Sequence, residues 1–417
     1  MKVLVIGSGG REHALVWKLS QSKHINKIYA SPGNAGIAEI AECIDLSPNN
    51  FSAIVDFVRY EWIDLTIVCS EKLLAEGIVD FFDREGRRIL GPDRKAAQAG
   101  LSRVFAKNLM RLYGIPTPEY KVFTSYLQAL DYIRLKSAPM VIKTDGRSAG
   151  NDSFLDSTTD EAMSVLKLIM EDGIFGDDGR QVVIEEQLGG ERWSFLALTD
   201  GKIVTPLTSL SIYRGDETGS HMMGMGAYSP VYGGDKELKA YIMEKIMEPL
   251  LRAFHSEGIK HKGFISADLI VNEGKAHVFE LNCFLKELEA QTVLPRLKTD
   301  IIDMVSAVLE ERLSGIEIEV EQNATVCIVA AAERYPESPD GIAISGLEAI
   351  KMMQEVSAFH ENTSFNGPDI VTPGGGVICI TATGKDPEDA KVKAYDAIEK
   401  IHFDGVYYRK DIANKIL

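Results

Sequence analysis

The sequence predicts a multidomain α/β and α+β protein: an N-terminal doubly wound parallel-sheet domain followed by two α+β units. Three observations carry this. A chain of 417 residues is longer than one hydrophobic core serves, and with 45% apolar residues it can fill several. Up to Pro92, short apolar runs alternate with amphipathic stretches, the pattern of right-handed βαβ units whose strands are buried on both faces. From Gly114 the runs and helical stretches take the order of smaller α+β units.

Taken in order, KVLVIG is the first strand, followed by a helix through Leu19, the strand KIYA, a helix from Phe51 to Arg59, and the strands DLTIVCS and RRILGP, the last ended by Gly91-Pro92. A helix from about Ser102 to Tyr113 opens the middle of the chain. YKVFTS, a helix around Leu127 to Leu135, PMVIKTDG, a helix from Thr159 to Met170 and VVIEEQL make the smaller unit. The Gly/Pro-containing stretch from Thr208 to Gly234 reads as a long loop, and loops of that length in compact enzymes often carry function. A helix from Lys236 to His255 leads to FISADLIV and KAHVFELN, joined by a turn at Asn272 to Gly274. TVCIVAAA, VICITATG and a helix from Pro387 to Ile401 form the C-terminal α+β lobe.

The net charge of −16 opposes a nucleic-acid partner, whose phosphates it would repel, so any phosphorylated ligand must meet local positive groups. Five cysteines lie far apart without a CxxC pair, as in a reducing compartment, and eight histidines show no zinc spacing. MKVLVIG opens as a buried strand rather than a leader, and no apolar run approaches the ~20 residues of a membrane span. The expectation is a cytoplasmic enzyme acting on small molecules.

Candidate sites follow the strand ends. GSGGREH (Gly7 to His13) joins the first strand to the first helix, where backbone N–H groups attract anions. Glu12 falls where the dinucleotide fingerprint needs its third glycine, so the loop is either a phosphate site, with Gly9, Gly10 and Arg11, or a tight structural turn. SPGNAG, with Asn34, is a second Gly-rich loop on the same sheet edge, where doubly wound folds bind ligands. Glu71, after DLTIVCS, is either a cap or a grip for an amine. Lys143 in VIKTDG is a phosphate contact or a snorkelling lysine. Glu185 and Glu186 in VVIEEQL suit a hinge that reads an adenine amino group, or are simply solvated.

Asp268, Glu280 and Asn282 lie on the two late strands. Side chains alternate along a strand, so Glu280 and Asn282 share a face, and pairing can bring Asp268 beside them. Three oxygen donors suit Mg²⁺, with Mn²⁺ an alternative, and a metal with open positions suits nucleotide phosphates. The other reading is a polar sheet edge.

MKVLVIGSGGREHAL, SPGNAG, LYGIPTPEY, VIKTDG, VVIEEQL, MGMGAYSP, FELNC, LPRLKTD and HFDGVYYRKDI occur in one order, and with them the whole chain resembles the phosphoribosylamine–glycine ligases, ATP-grasp enzymes of purine biosynthesis. The resemblance implies an N-terminal domain over residues 1–101, a central ATP-grasp unit over 102–323 with its small lobe at about 115–190, and a C-terminal lobe over 324–417. It implies ATP as cofactor, an acyl phosphate formed on a small carboxylate, and attack on it by an amine. By position it makes Glu280 and Asn282 magnesium ligands, Lys143 an ATP lysine, Glu185 and the backbone near Leu188 the adenine hinge, and Arg11, Asn34 and Glu71 substrate residues.

The departures cluster at the chemistry. AGKGV of the family reads AGNDS, placing Asn151 where a cation is expected. Its SK is Ser102-Arg103, the second acid of GEE is Arg192, and QDHKR is LSIYR, which keeps only Arg214. NCRFGDPETQ has become NCFLKELEAQ, with Phe284 in place of an arginine, and GGR reads Gly374-Gly375-Gly376. Asp268 stands where the family carries glycine. Lys286, Arg214 and Arg296 are the candidates to replace the missing cations. The first reading is therefore an ATP-dependent carboxylate–amine ligase, monomeric or homodimeric, either a phosphoribosylamine–glycine ligase of purine biosynthesis or a paralogue with a changed substrate; the intact N-terminal loops favour a phosphorylated or sugar-like amine, and the altered GDPE segment argues against glycine as the acid. The alternative is a non-catalytic nucleotide- or metabolite-binding paralogue that serves as a regulatory or partner subunit.

Overall fold

The computed structural model describes residues 1–146, 153–156, 158–214, 224–231, 236–332, 341–372 and 376–414. Strands β1 (Lys2–Gly7), β2 (Lys27–Pro32), β3 (Glu42–Cys43), β4 (Leu65–Val68) and β5 (Ile89–Leu90) form a parallel sheet in the order β3-β2-β1-β4-β5. Helix α1 (Gly10–Leu19) follows β1, and α2 (Phe51–Tyr60) precedes β4 with Asn50 as its cap. The continuous apolar run of β1 feeds two cores. Val3 and Val5 pack with Ala14 and Leu15 of α1, whereas Leu4 and Ile6 pack with Ile54 and Phe82 on the opposite face. That two-sided burial is what a doubly wound sheet demands.

An antiparallel sheet follows, built of β6 (Tyr120–Phe123), β7 (Met140–Thr144), β8 (Ser153–Asp156) and β9 (Val182–Glu186) in the order β6-β9-β7-β8. The helices Tyr126–Lys136 and Thr159–Met170 cover one face of it, burying Ala129, Ile133, Ala162 and Leu166 against Ile142 and Ile184.

The remaining strands are β10 (Glu191–Thr199), β11 (Val204–Arg214), β12 (Gly224–Ser229), β13 (Gly263–Asn272), β14 (Lys275–Asn282), β15 (Ala324–Ala332), β16 (Val356–His360), the ribbon β17 (Ser364–Asn366) and β18 (Asp369–Val371), β19 (Gly376–Gly384) and β20 (Val406–Tyr407). All but the ribbon join one sheet, ordered β14-β13-β10-β11-β12-β15-β19-β16 with β20 on β15.

This sheet corrects three expectations. Much of the presumed loop from Thr208 to Gly234 is strand: β11 and β12 occupy the sheet's middle, pairing Ser211 with Tyr228 and Ile212 with Ala227. MGMGAYS hides this because it lacks β-branched residues, but glycine is required there, since a Cβ at Gly226 would lie 2.8 Å from the Cys327 carbonyl of β15. Secondly, β15, β19 and β16 do not make a sheet of their own, because β12 pairs directly with β15 from Gly226–Ile328 to Ser229–Thr325. Thirdly, the helix expected from Lys236 to His255 contains a π turn at Met243–Met247, and the last helix ends at Ile398.

The segment after β16 returns to the parallel sheet. The Asn362 N–H donates to the Ser8 carbonyl (2.9 Å), Ser8 Oγ donates to Asn362 Oδ1 (2.6 Å), and the Ala35 N–H donates to the Thr363 carbonyl (2.9 Å). His13 Nδ1 accepts from the His360 N–H at 2.9 Å, which requires the unprotonated nitrogen. Burial holds both rings below their ordinary 6.5, His13 at about 3 and His360 at about 4. The unfolded chain therefore binds protons that the folded one refuses. The stability this contributes is complete above pH 6.5 and is lost as the pH falls toward the folded values. At pH 5.5 about 1.4 kcal/mol per histidine is expected to be gone. Urea unfolding of His13→Gln at pH 7.5 and 5.5 should show the loss on acidification smaller than wild type by about that amount; an unchanged difference would remove His13 from the account.

Candidate active site

Three neighbouring strands place their polar residues in rows. Ser194 of β10 pairs with Asp268 of β13, and Asp268 with Glu280 of β14; Leu196, Ser266 and Asn282 make the next row. Residues two apart share a face, so Asp268, Glu280 and Asn282 stand together, while Phe195, Ala267 and Leu281 between them pack into the core behind. All three polar residues are buried.

Cations meet these acids. Lys286 Nζ lies 2.7 and 2.8 Å from the two oxygens of Asp268 and 3.2 Å from Glu289 Oε1, which also accepts from Ser194 Oγ at 2.7 Å. Arg103 Nη2 donates to Glu280 Oε1 at 3.3 Å, and its Nη1 to the carbonyls of Thr144 and Gly146 at 2.9 and 2.6 Å. Lys143 of β7 donates to Glu185 Oε2 at 3.0 Å and to the Phe279 carbonyl at 3.2 Å. Lys107 sits 3.1 Å from the other Glu185 oxygen and donates to Thr117 Oγ1 at 2.6 Å. Burial brings the Lys107 ammonium down to about 8 against the opposing pull of Glu185. The helix Arg103–Leu112 supplies two of these cations because residues 103 and 107 are one turn apart. Ser102 caps that helix and bonds Asp145 Oδ1 at 2.9 Å, tying it to the end of β7. Phe279 stands between charges, with Lys143 at 5.5 Å and Arg192 at 5.6 Å from its ring centre.

A second recess, a cleft of about 380 Å³, opens at the C-terminal ends of β1 and β4, the point where the strand order reverses. Gly7, Gly9, Arg11, Glu12, Ser70 and Glu287 are among its lining. Glu12 accepts from the Gly9 N–H at 3.0 Å and from Arg11 Nε at 2.8 Å, and Arg11 Nη1 reaches the Leu285 carbonyl at 3.2 Å.

Comparison with known proteins assigns this architecture. Family models for the N domain, the ATP-grasp (A) domain and the C domain of phosphoribosylglycinamide synthetase match residues 1–99, 101–290 and 325–415. The chain belongs to the phosphoribosylglycinamide synthetase family. It is 43% identical over 418 residues to the phosphoribosylamine–glycine ligase of Caldanaerobacter subterraneus subsp. tengcongensis, covering 99% of both chains. Identity to the Neisseria meningitidis serogroup A enzyme of that name is 39%, with both chains covered completely. The crystal structure of phosphoribosylamine–glycine ligase from Thermotoga maritima superposes with a TM-score of 0.83 at 28% identity, over 99% of this chain and all of that one.

As a phosphoribosylglycinamide synthetase family member, the chain can be compared position by position with the expected site. Glu280 and Asn282 lie two apart on β14, Arg103 donates to Glu280, and Lys143 reaches the neighbouring Phe279 carbonyl. Glu185 is gripped by two lysines, so its carboxylate is not turned to an adenine, and Glu186 accepts from the Glu119 N–H at 2.8 Å. Leu188 is half-buried and Arg192 exposed. Arg296 is buried and spends its guanidinium on Ser229 Oγ (2.7 Å), Thr208 Oγ1 (3.1 Å) and the Glu321 carbonyl (2.9 Å), a strand-tying role rather than a catalytic one. Burial lowers it to about 10. Asn34 likewise binds the chain itself: its Nδ2 donates to the Ser8 and His360 carbonyls (2.7 and 2.8 Å), and its Oδ1 accepts from Ile37 (2.9 Å). Glu71 begins the helix Glu71–Glu76, flanked by the cleft-lining Ser70 and Lys72. Arg214 is the last residue of β11, paired with Gly224. Asn151, Gly374 and Gly375 lie outside the described residues.

Phe284 is buried in the N-terminal core with Leu4 and Phe82. Of the altered GDPE segment, Glu289 keeps the final acid, counted from the flanking Asn282 and Gln291. Sequence reasoning missed Lys107 and Phe279. The signal for Lys107 was a second cation one turn from Arg103 on a face otherwise made of Ala106, Leu109 and Met110.

Proposed function

We propose that this family member is an ATP-dependent carboxylate–amine ligase. A carboxylate oxygen takes the γ-phosphoryl group of ATP, releasing ADP. The amine nitrogen then attacks the acyl carbon, the C–O bond to phosphate breaks, and the amide forms with loss of one amine proton to water. Phosphoryl transfer of this kind rests on positioning and on neutralising charge. The observation that carries the reading is the buried set Arg103, Lys107 and Lys143, held on Glu185 and Glu280 where the four-stranded sheet meets β14. Nucleotide phosphates can take over these cations. Phe279 offers a ring face beside Lys143, and the backbone near Leu188 is the adenine hinge in this reading.

Glu280 and Asn282 present hard oxygen donors on one face, which fits Mg²⁺ or Mn²⁺; Asp268, with both oxygens on Lys286, joins them only if that ammonium moves. Such an ion supplies charge neutralisation at the transferred phosphoryl group. The reading includes units 1–101, 102–323 and 324–417, small-molecule acid and amine substrates, and action in the cytoplasm. Among the described residues no helix is long and apolar enough to cross a membrane. The test supplies Mg-ATP with panels of acids and amines and follows ADP. ADP release that depends on an acid is expected; ATP binding without it would leave a nucleotide-binding protein.

A further inference from the structure

A cleft of about 760 Å³ opens between the parallel-sheet domain and the central sheet, within the size range of small-molecule sites. It shares no lining residue with the recess at β1 and β4 or with the acids and cations of the candidate active site. Two basic runs far apart in the chain line it: Arg87-Arg88, just before β5, and Lys260-His261-Lys262, just before β13. Lys202, in the turn between β10 and β11, adds a fifth cation. Burial holds the His261 ring at about 4, so it stays neutral and adds no charge. Most of the charge is spent within the protein. Glu310 takes Arg88 (3.3 Å) and Arg312, and Glu311 takes Lys202 (2.8 Å) and Lys262 (2.9 Å). Asp200 accepts from the N–H groups of Lys202, Ile203 and Leu313 at 2.9, 3.0 and 3.0 Å, and Asp93 caps the helix Arg94–Leu101. Arg87, half-buried, and Lys260, exposed, are left over. Among the described residues neither makes an ion pair, and Arg87 Nε is buried without a hydrogen-bond partner. Asp83, the remaining acid of the lining, feels Lys260 and Lys262 but pairs with neither. The cleft thus holds charged donors without acceptors, beside the apolar Val79, Leu251 and Leu309.

We propose that this cleft is a second ligand site, for a phosphate monoester with an apolar or aromatic body. Its phosphate accepts from Arg87 and Lys260, and its body lies against Val79, Leu251 and Leu309. A guanidinium and an ammonium supplied by two different domains suit the several acceptor oxygens of a phosphate. The site does not depend on the ligase reading. Calorimetric titration of the full chain with phenyl phosphate tests it, because this probe carries neither base nor ribose; inorganic phosphate and phenol are its two halves. Phenyl phosphate is expected to bind at least about tenfold tighter than either half, the worth of burying its ring. Arg87→Ser and Lys260→Ser should each weaken binding by about tenfold, the usual loss of one charged hydrogen bond. Asp83→Asn removes a carboxylate that repels the phosphate and should tighten binding, a gain that damaged folding cannot produce. The proposal is overturned by no binding of phenyl phosphate, by inorganic phosphate binding as tightly, by an affinity that either cation variant leaves unmoved, or by no gain in Asp83→Asn. Absence of acid-dependent ADP release would sink the ligase reading and leave this site standing.

Discussion

Replacing Lys286 with methionine is expected to destabilise the protein by about 3–5 kcal/mol, the cost of stranding buried charge. Lys286 touches both oxygens of Asp268 and one of Glu289, and the side chains of those acids are 4% and 0% exposed. Methionine has a similar length, so packing is largely kept and the change isolates the charge. The double variant Lys286→Met with Asp268→Asn should recover part of the loss, because the second change removes one stranded carboxylate; urea unfolding of the single and double variants measures the coupling. The same pair decides what Asp268 is for. A divalent ion and the Lys286 ammonium compete for one carboxylate, so in Lys286→Met added Mg²⁺ should restore stability if Asp268 faces the metal. Restoration equal to that of the wild type would make Asp268 an ion-pair partner alone.

That ambiguity marks where sequence reasoning ends. The two strands holding Asp268, Glu280 and Asn282 were legible because strand alternation and a short turn are local, but their register was not: a bulge between Asp268 and Leu269 brings Glu280 opposite Asp268, where counting back from the turn gives Phe279. The apolar run of β1 and the capped helix Thr159–Met170 were legible for the same reason. What these residues touch was not. Glu287 meets Arg11 across 276 positions, and Arg296 meets Thr208 across 88, so nothing near either residue records the partner. Arginine at such a position reads as a free cation for phosphate, whereas burial and three acceptors make it a strut. The Gly-rich β12 was missed because its strand character is imposed by β11 and β15 on either side, a tertiary effect that outweighs propensity.

Glu280→Gln tests the catalytic reading most directly. The Glu280 carboxylate meets Arg103, the cation that also caps the carbonyls of Thr144 and Gly146. Removing its charge should slow acid-dependent ADP formation by about 10²–10³, the usual worth of one preorganised electrostatic group. A purely structural role predicts something else: lower stability from an Arg103 left without its carboxylate, with the surviving folded fraction turning over normally. The two separate by measuring kcat per folded molecule alongside the Mg²⁺ concentration for half-maximal rate. A ligand role raises that concentration in Glu280→Gln, and Glu280→Asp, which restores an oxygen anion at shorter reach, should recover part of both. An unchanged Mg²⁺ requirement in a folded Glu280→Gln protein would return Glu280 to the ion pair with Arg103 and place the metal elsewhere.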